Sequence, residues 1–341
     1  MCGTTGLFIG CERAPTCARR LILDSLTVEP DVAENHPYRS PFATWHDRAS
    51  VRRAPRRVVQ RPSADAFYFD PELVPVATHP LVARLPRQNI DELLIRHLYR
   101  YLRFTEYLET LVVNHTALGL AMGTVLPGLP RQMRDDAYHV YCDEAYHAQF
   151  SADLINQVEQ LSGVDAPQTE TPHFMVAFEQ LVATHEPADR PLLELLFVIV
   201  SETLITGTLA SVPANANMPA AVTQAVRDHA IDEGRHHTYF GNLLSLVWAA
   251  MPPDQISRVG PAIPKLIRCF LAPATEVVAR DLMQVGVTGP GSVQVIADTF
   301  RPDLVDDQIR IAAHQTIRHF KRAGALDAAI VEDCLHRDGF L

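Results

Sequence analysis

The sequence has no CxxC pair, no apolar run of membrane-spanning length and no surplus of positive charge, and each absence closes a class of function. Six cysteines (Cys2, Cys11, Cys17, Cys142, Cys269 and Cys334) are scattered over 341 residues, so neither a disulfide framework nor a zinc site is expected and the thiols read as reduced. No stretch of about 18 residues escapes a charged or polar break. The opening MCGTTGLFIGCERAPTCARR lacks the basic start and long apolar core of a signal peptide, so the expectation is a cytoplasmic protein with no membrane partner. Lys and Arg total 30 against 40 Asp and Glu, a formal charge of −10. Nucleic acid is therefore not an expected partner, because phosphate binding needs a basic field. Alternation at the strand period is missing beyond runs of about five residues, which leaves an all-α chain. At 47% apolar and 21% charged residues the composition is that of a chain that folds.

What is there falls into three parts. Residues 1–88 are rich in proline and carry a basic run, Arg52, Arg53, Arg56, Arg57 and Arg61. Through position 62 there are 10 Arg against 6 acidic residues, so this irregular arm is locally positive. It could lie across the acidic body or a second subunit, but a solvated basic loop is the reading that composition favours. Residues 89–251 hold four long stretches with helical periodicity. The first runs from Asn89 without proline to LPGLP at 126–130, and the second from there to Gly163. A crossover with a short helical piece at 173–185 follows. The third stretch begins at Arg190 and ends before Pro213, and the fourth spans Met218 to Met251. Residues 252–341, punctuated by prolines, read as further helices packed on the four, with one domain overall.

Two of the helices carry the same short motif. The chain has three Asp-Glu dipeptides, and two of them read Asp-Glu-x-x-His: DEAYH at 143–147 and DEGRH at 232–236. On a helix, positions i and i+3 share a face, so each motif aims a carboxylate and an imidazole at one spot. In an antiparallel helix pair, residues equidistant from the turn lie opposite each other. Glu109 mirrors Glu144 and His147 across LPGLP, and Glu202 mirrors Glu233 and His236 across residues 217–219. One lone Glu plus one Glu-x-x-His from each half is the donor set of di-iron and di-manganese carboxylate bundles. His229, four residues before Glu233, lies on the same stripe and could supply a third imidazole. Four glutamates balance two divalent cations, whereas without metal they should repel, take up protons and make loading part of the folding energy. Asp143 and Asp232, each four residues before a ligand His, are candidate acceptors for imidazole N–H groups. Thr206, one turn after Glu202, could face the centre or bond its own helix. His115, His139 and His237 lack the spacing and read as packing or surface residues.

With Glu109, Glu144-x-x-His147, Glu202 and His229-x3-Glu233-x2-His236 in this order, the chain resembles the p-aminobenzoate N-oxygenase (AurF-type) family of di-iron oxygenases; FDPELVPVATHP at 69–80 resembles the family's lead-in to the first ligand helix. The resemblance implies a ferritin-like four-helix bundle. It also implies two Fe ions (or Mn), O2 as co-substrate, an external electron donor and a homodimer. Glu109, Glu144 and His147 would serve mainly one metal and Glu202, His229, Glu233 and His236 the other; the family spacing prefers Glu109 to Glu106. The activity implied is oxidation of a small-molecule amine nitrogen to hydroxylamine, nitroso or nitro in biosynthesis. Arylamine members hold a substrate carboxylate with an arginine on the first ligand helix. Here that position falls at Phe104, beside Arg103, which leaves aliphatic amines and other arylamines open as substrates. A C–H hydroxylase or desaturase on the same bundle, and then a ferroxidase, are the alternative readings.

Overall fold

The computed structural model describes residues 26–63, 66–167, 171–210 and 218–341. The described residues are helical, with no strand among them. The first ligand stretch starts behind Pro86 as α1 (Arg87–Tyr107) and ends as α2 (Asn114–Met122). Between them Leu108–Val113 forms a π-turn, so the expected single α-helix is broken at its ligand. The amide of Asn114 bonds the Glu109 carbonyl five residues back, which inserts one extra residue into the turn. α3 (Arg131–Ser162) follows Pro130 and stops at Gly163, whose φ of +74° makes the left-handed cap a glycine tolerates. α4 (Arg190–Ala210) and α5 (Ala220–Ala250) form the second hairpin, the latter bounded by Pro219 and Pro252.

α1 and α2 pack along α3, α4 packs along α5, and α3 meets α5, which closes a four-helix bundle. Helices His173–Ala183, Ile263–Leu271 and Pro302–Arg322 cover the outside of the second hairpin, with Thr316 donating to Thr203 on α4 at 3.0 Å. No helix among the described residues is long and apolar enough to cross a membrane. Cys142, Cys269 and Cys334 are free thiols; Cys2, Cys11 and Cys17 lie outside the described residues.

From residue 26 on, the described part of the arm is not the solvated loop that its composition favoured. Leu26, Val28, Phe42, Trp45 and Ala49 are core residues, and the basic run crosses the bundle surface. Arg56 pairs with Asp153 on α3 at 2.8 Å, Arg57 pairs with Asp228 on α5, and Arg61 donates to the Leu161 carbonyl at 2.6 Å. The acidic body thus finds its counter-charges within the same chain. At the first hairpin turn the arm comes so close that a Cβ on Gly128 would sit 2.0 Å from the Val28 carbonyl oxygen, with φ already at +88°. Gly128→Ala is expected to destabilise the fold by about 2 kcal/mol or more, through left-handed strain and displacement of the arm. Chemical denaturation of the purified variant measures this.

Candidate metal centre

The two Asp-Glu-x-x-His motifs meet in the middle of the bundle. Glu109, Glu144, His147, Glu202, Glu233 and His236 are fully buried, and His229 is 2% exposed. The seven expected side chains come from four rods: Glu109 from the π-turn, Glu144 and His147 from α3, Glu202 from α4, and the rest from α5. Around them Leu102, Val113, Val140, Val198, Ile205 and Phe240 are buried, giving the site a dry lining. The rival Glu106 is half-buried and bound to Arg103 at 2.6 Å.

Two four-residue groups could each hold a cation, with donor atoms within 4.8 Å of one another: Glu144, His147, His229 and Glu233, and Glu144, Glu202, Glu233 and His236. Glu144 joins the groups, since its two oxygens lie 2.7 Å from His147 Nδ1 and 2.6 Å from His236 Nδ1. His229 Nε2 lies 3.1 Å from Glu233 and 3.6 Å from Glu109, and its ring centre is 4.2 Å from that of His147. This division differs from the one the family resemblance implies. His229 falls with His147 and Glu109, not with His236. Seven residues of helix are about 10 Å of rise, so His229 and His236 reach opposite ends of the centre with Glu233 between them.

The donor set fits metal. Both carboxylate oxygens of Glu109 and both of Glu202 are buried without a hydrogen-bond partner, a costly arrangement for the protein alone. Burial, reinforced by Glu144 and the other carboxylates, raises Glu109 well above the usual carboxylate range, and burial with Glu233 and Glu144 does the same to Glu202. The other two glutamates depart from the expectation that all four would rise. Burial opposes ionisation of Glu144 and Glu233, but the adjacent imidazoles outweigh it and hold both below the ordinary value. His147 is correspondingly raised to about 10; burial opposes this, and Glu144 and Asp232 overcome it. His236 is raised well above its ordinary value in the same way, by Glu144 and Glu233.

The aspartates act across the bundle. Asp232 on α5 accepts from Nε2 of His147 on α3 at 3.1 Å, and Asp143 on α3 accepts from Nε2 of His236 on α5 at 3.2 Å. Each bond keeps a proton on Nε2, so that Nδ1, which faces the carboxylates, is the nitrogen a metal would take once its own proton is displaced. Both aspartates are themselves held by residues the sequence reading did not single out. Trp45 Nε1–H donates to both oxygens of Asp143 at 2.9 Å. Ser50 donates its amide to Asp232 at 3.2 Å and its hydroxyl as well, and Arg235 bonds Asp232 and lies 3.6 Å from Asp143. Asp232→Ala is expected to weaken metal binding about 10–100-fold, because His147 then loses its orientation. Competition against a calibrated chelator reads that change.

Of the remaining candidates, His139 stacks on Trp45 with ring centres 4.4 Å apart, and His237 faces His319 with Nε2 atoms 2.9 Å apart. The side chain of Thr206 lies outside the described residues. A cavity of about 670 Å³ runs beside α1 and reaches Thr105 and Ile205, one turn from Glu109 and Glu202. Phe104 lines it, packed on Phe174 and Phe270 with ring centres 4.7 and 5.3 Å away, and so does Arg103. Tyr101 also lines it, with its hydroxyl buried and lacking a hydrogen-bond partner. The family model for P-aminobenzoate N-oxygenase AurF matches residues 46–324, most of the chain.

Proposed function

The chain belongs to the AurF family of p-aminobenzoate N-oxygenases, and from that membership we propose that Glu109, Glu144, His147, Glu202, His229, Glu233 and His236 hold two irons beside the arylamine pocket. The family is one of di-iron enzymes that oxidise an aryl amine; the protein is an oxidoreductase of this kind, and C–H hydroxylation, desaturation and iron storage are not favoured. The observation that carries the ligand assignment is the set of four orphaned oxygens on Glu109 and Glu202 within a cluster of buried imidazoles and carboxylates.

When bound, the iron pair supplies the electrons and Lewis acidity that activate O2, with an external donor restoring the electrons. The protein's part is placement. Asp143 and Asp232 fix the ligand tautomers, and the apolar wall keeps water from the oxidant. The cavity beside α1 takes the arylamine, with its nitrogen at the Thr105 and Ile205 end and the ring among Phe104, Phe174 and Phe270. The lining also carries Arg103, engaged with Glu106, and Tyr101, whose buried hydroxyl has no hydrogen-bond partner. The test is turnover of an arylamine panel with reductant and O2, read as hydroxylamine, nitroso or nitro products by mass spectrometry. Oxidised arylamine support this reading; turnover of hydrocarbons with no N-oxidation contradicts it.

A further inference from the structure

Two short helices of the arm, Trp45–Arg48 and Ser50–Arg53, follow each other with only Ala49 between them, and the second packs against both α3 and α5. The arm holds each of those helices by a different residue. Trp45 Nε1–H donates to Asp143 of α3 at 2.9 Å, and the Ser50 amide donates to Asp232 of α5 at 3.2 Å. Further along, Arg56 again pairs with α3 and Arg57 with α5. Beyond the aspartates the bonds cross over: Asp143 reaches His236 on α5, and Asp232 reaches His147 on α3. Those two histidines fall in different cation-holding groups, His236 with Glu202 and His147 with His229. Each line of bonds therefore runs from its own arm residue to its own half of the centre, and Trp45, Ser50 and both aspartates are buried. Arg235 touches both aspartates and belongs to neither line. Asp47, Arg48, Arg52 and Arg53, from the same stretch of arm, are exposed and play no part in it.

We infer that Trp45 positions His236 through Asp143 and Ser50 positions His147 through Asp232, so that each arm residue governs the hold on one cation of the pair and not the other. The inference rests on the di-iron reading above. The indole N–H lies 2.9 Å from both oxygens of Asp143, which fixes the rotation of that carboxylate. The indole itself is packed on His139, with ring centres 4.4 Å apart, and cannot follow the carboxylate if it turns. Ser50 holds Asp232 with its amide and its hydroxyl together, from the first turn of a helix that the arm lays across the seam. Removing a donor leaves a buried carboxylate short of a partner and free to swing. The imidazole N–H then loses its acceptor, and the ring can rotate its Nδ1 away from the metal. Because the two lines share no residue, each loss should be felt at one cation only.

The test follows release of ferrous iron from the loaded full-length protein to a chelator without oxygen. Crystals soaked in the same chelator assign the loss, since anomalous diffraction gives the occupancy of each iron separately. Trp45→Phe, which keeps a ring against His139 but has no N–H, should release one iron about tenfold faster, and the emptied position should be the one beside Glu202 and His236. Ser50→Ala, whose amide still donates, should release the iron beside His147 and His229 about fivefold faster, and Ser50→Thr should restore the wild-type rate. Equal loss at both positions in either variant, or wild-type rates in either, overturns the assignment. If circular dichroism shows that Trp45→Phe does not fold, the Ser50 variants decide: selective loss that threonine restores supports the inference, and loss at both positions contradicts it. A wild-type chain that binds no iron fails the di-iron reading first, an outcome distinct from a wild-type chain that binds iron and variants that release it alike.

Discussion

Glu144→Ala is expected to lose both metals together and to lower amine oxidation at least about a hundredfold, since even groups one step removed from the metal cost 10–100-fold. Glu144 and Glu233 are the two residues shared by both cation-holding groups, and Glu144 reaches His147 and His236 with separate oxygens at 2.7 and 2.6 Å. Removing it deprives each half of an anion and leaves two imidazoles without their main counter-charge. His229→Ala, which removes one neutral donor from one half, should leave the other half able to bind. Iron content by elemental analysis and product formation, measured on both variants with the helical circular dichroism as a check on folding, separate these cases. Two irons per chain in Glu144→Ala would contradict the arrangement.

The second large effect concerns metal removal and pH. Without metal the site neutralises itself with protons. Glu109 and Glu202 are raised, and His147 and His236 are raised, whereas Glu144 and Glu233 stay ionised. Two imidazolium ions then balance two carboxylates. A carboxyl or imidazole whose folded pKa is raised stabilises the fold while protonated, and that stability is lost as pH rises through the folded value. For His147 the contribution is complete below about pH 6.5 and disappears as pH climbs through about 10. The lowered carboxylates act in the opposite sense, but their window lies in acid, below their ordinary values. The metal-free protein should therefore lose stability between about pH 6 and 10, and the metal-loaded protein should lose less.

Loading two divalent cations displaces the protons on Glu109, Glu202, His147 and His236, so about four protons per chain should appear on anaerobic ferrous titration in weak buffer. Saturating metal at a thousand times its dissociation constant stabilises by about 4 kcal/mol for each of the two sites, worth together roughly 10 °C in Tm for a chain of this size. Scanning calorimetry from pH 6 to 9 should show that gap widening. A gap that narrows with rising pH, or a titration releasing no protons, would contradict the electrostatic account.

How much of this was legible beforehand varies by element. The clustering of these side chains was readable because its information is local: Glu-x-x-His spacing defines a helix face, and mirror distances about LPGLP and residues 217–219 level the lone glutamates. Asp143 and Asp232 could be picked out as acceptors for imidazole N–H groups, but their pairing across the bundle, Asp143 with His236 and Asp232 with His147, depends on how the helices pack. His229 lies beside His147 and Glu109, as axial rise along one helix allows, whereas the family resemblance groups it with His236. The π-turn at Leu108–Val113 has no Pro or Gly to announce it; burying Glu109 while Leu111 is exposed is a tertiary outcome. Trp45 and Ser50 were hidden for another reason. Their partners lie 98 and 182 residues away, and an arm without periodicity offers no face from which to infer contact.

The claim on which everything turns is that the seven buried side chains cage a pair of irons. Diffraction from iron-loaded crystals at wavelengths on either side of the iron absorption edge measures this directly. The account predicts two anomalous peaks inside the bundle, one bordered by Glu109, His147 and His229 and the other by Glu202 and His236, with Glu144 and Glu233 reaching both. A single peak, or iron located anywhere other than between these residues, would contradict it.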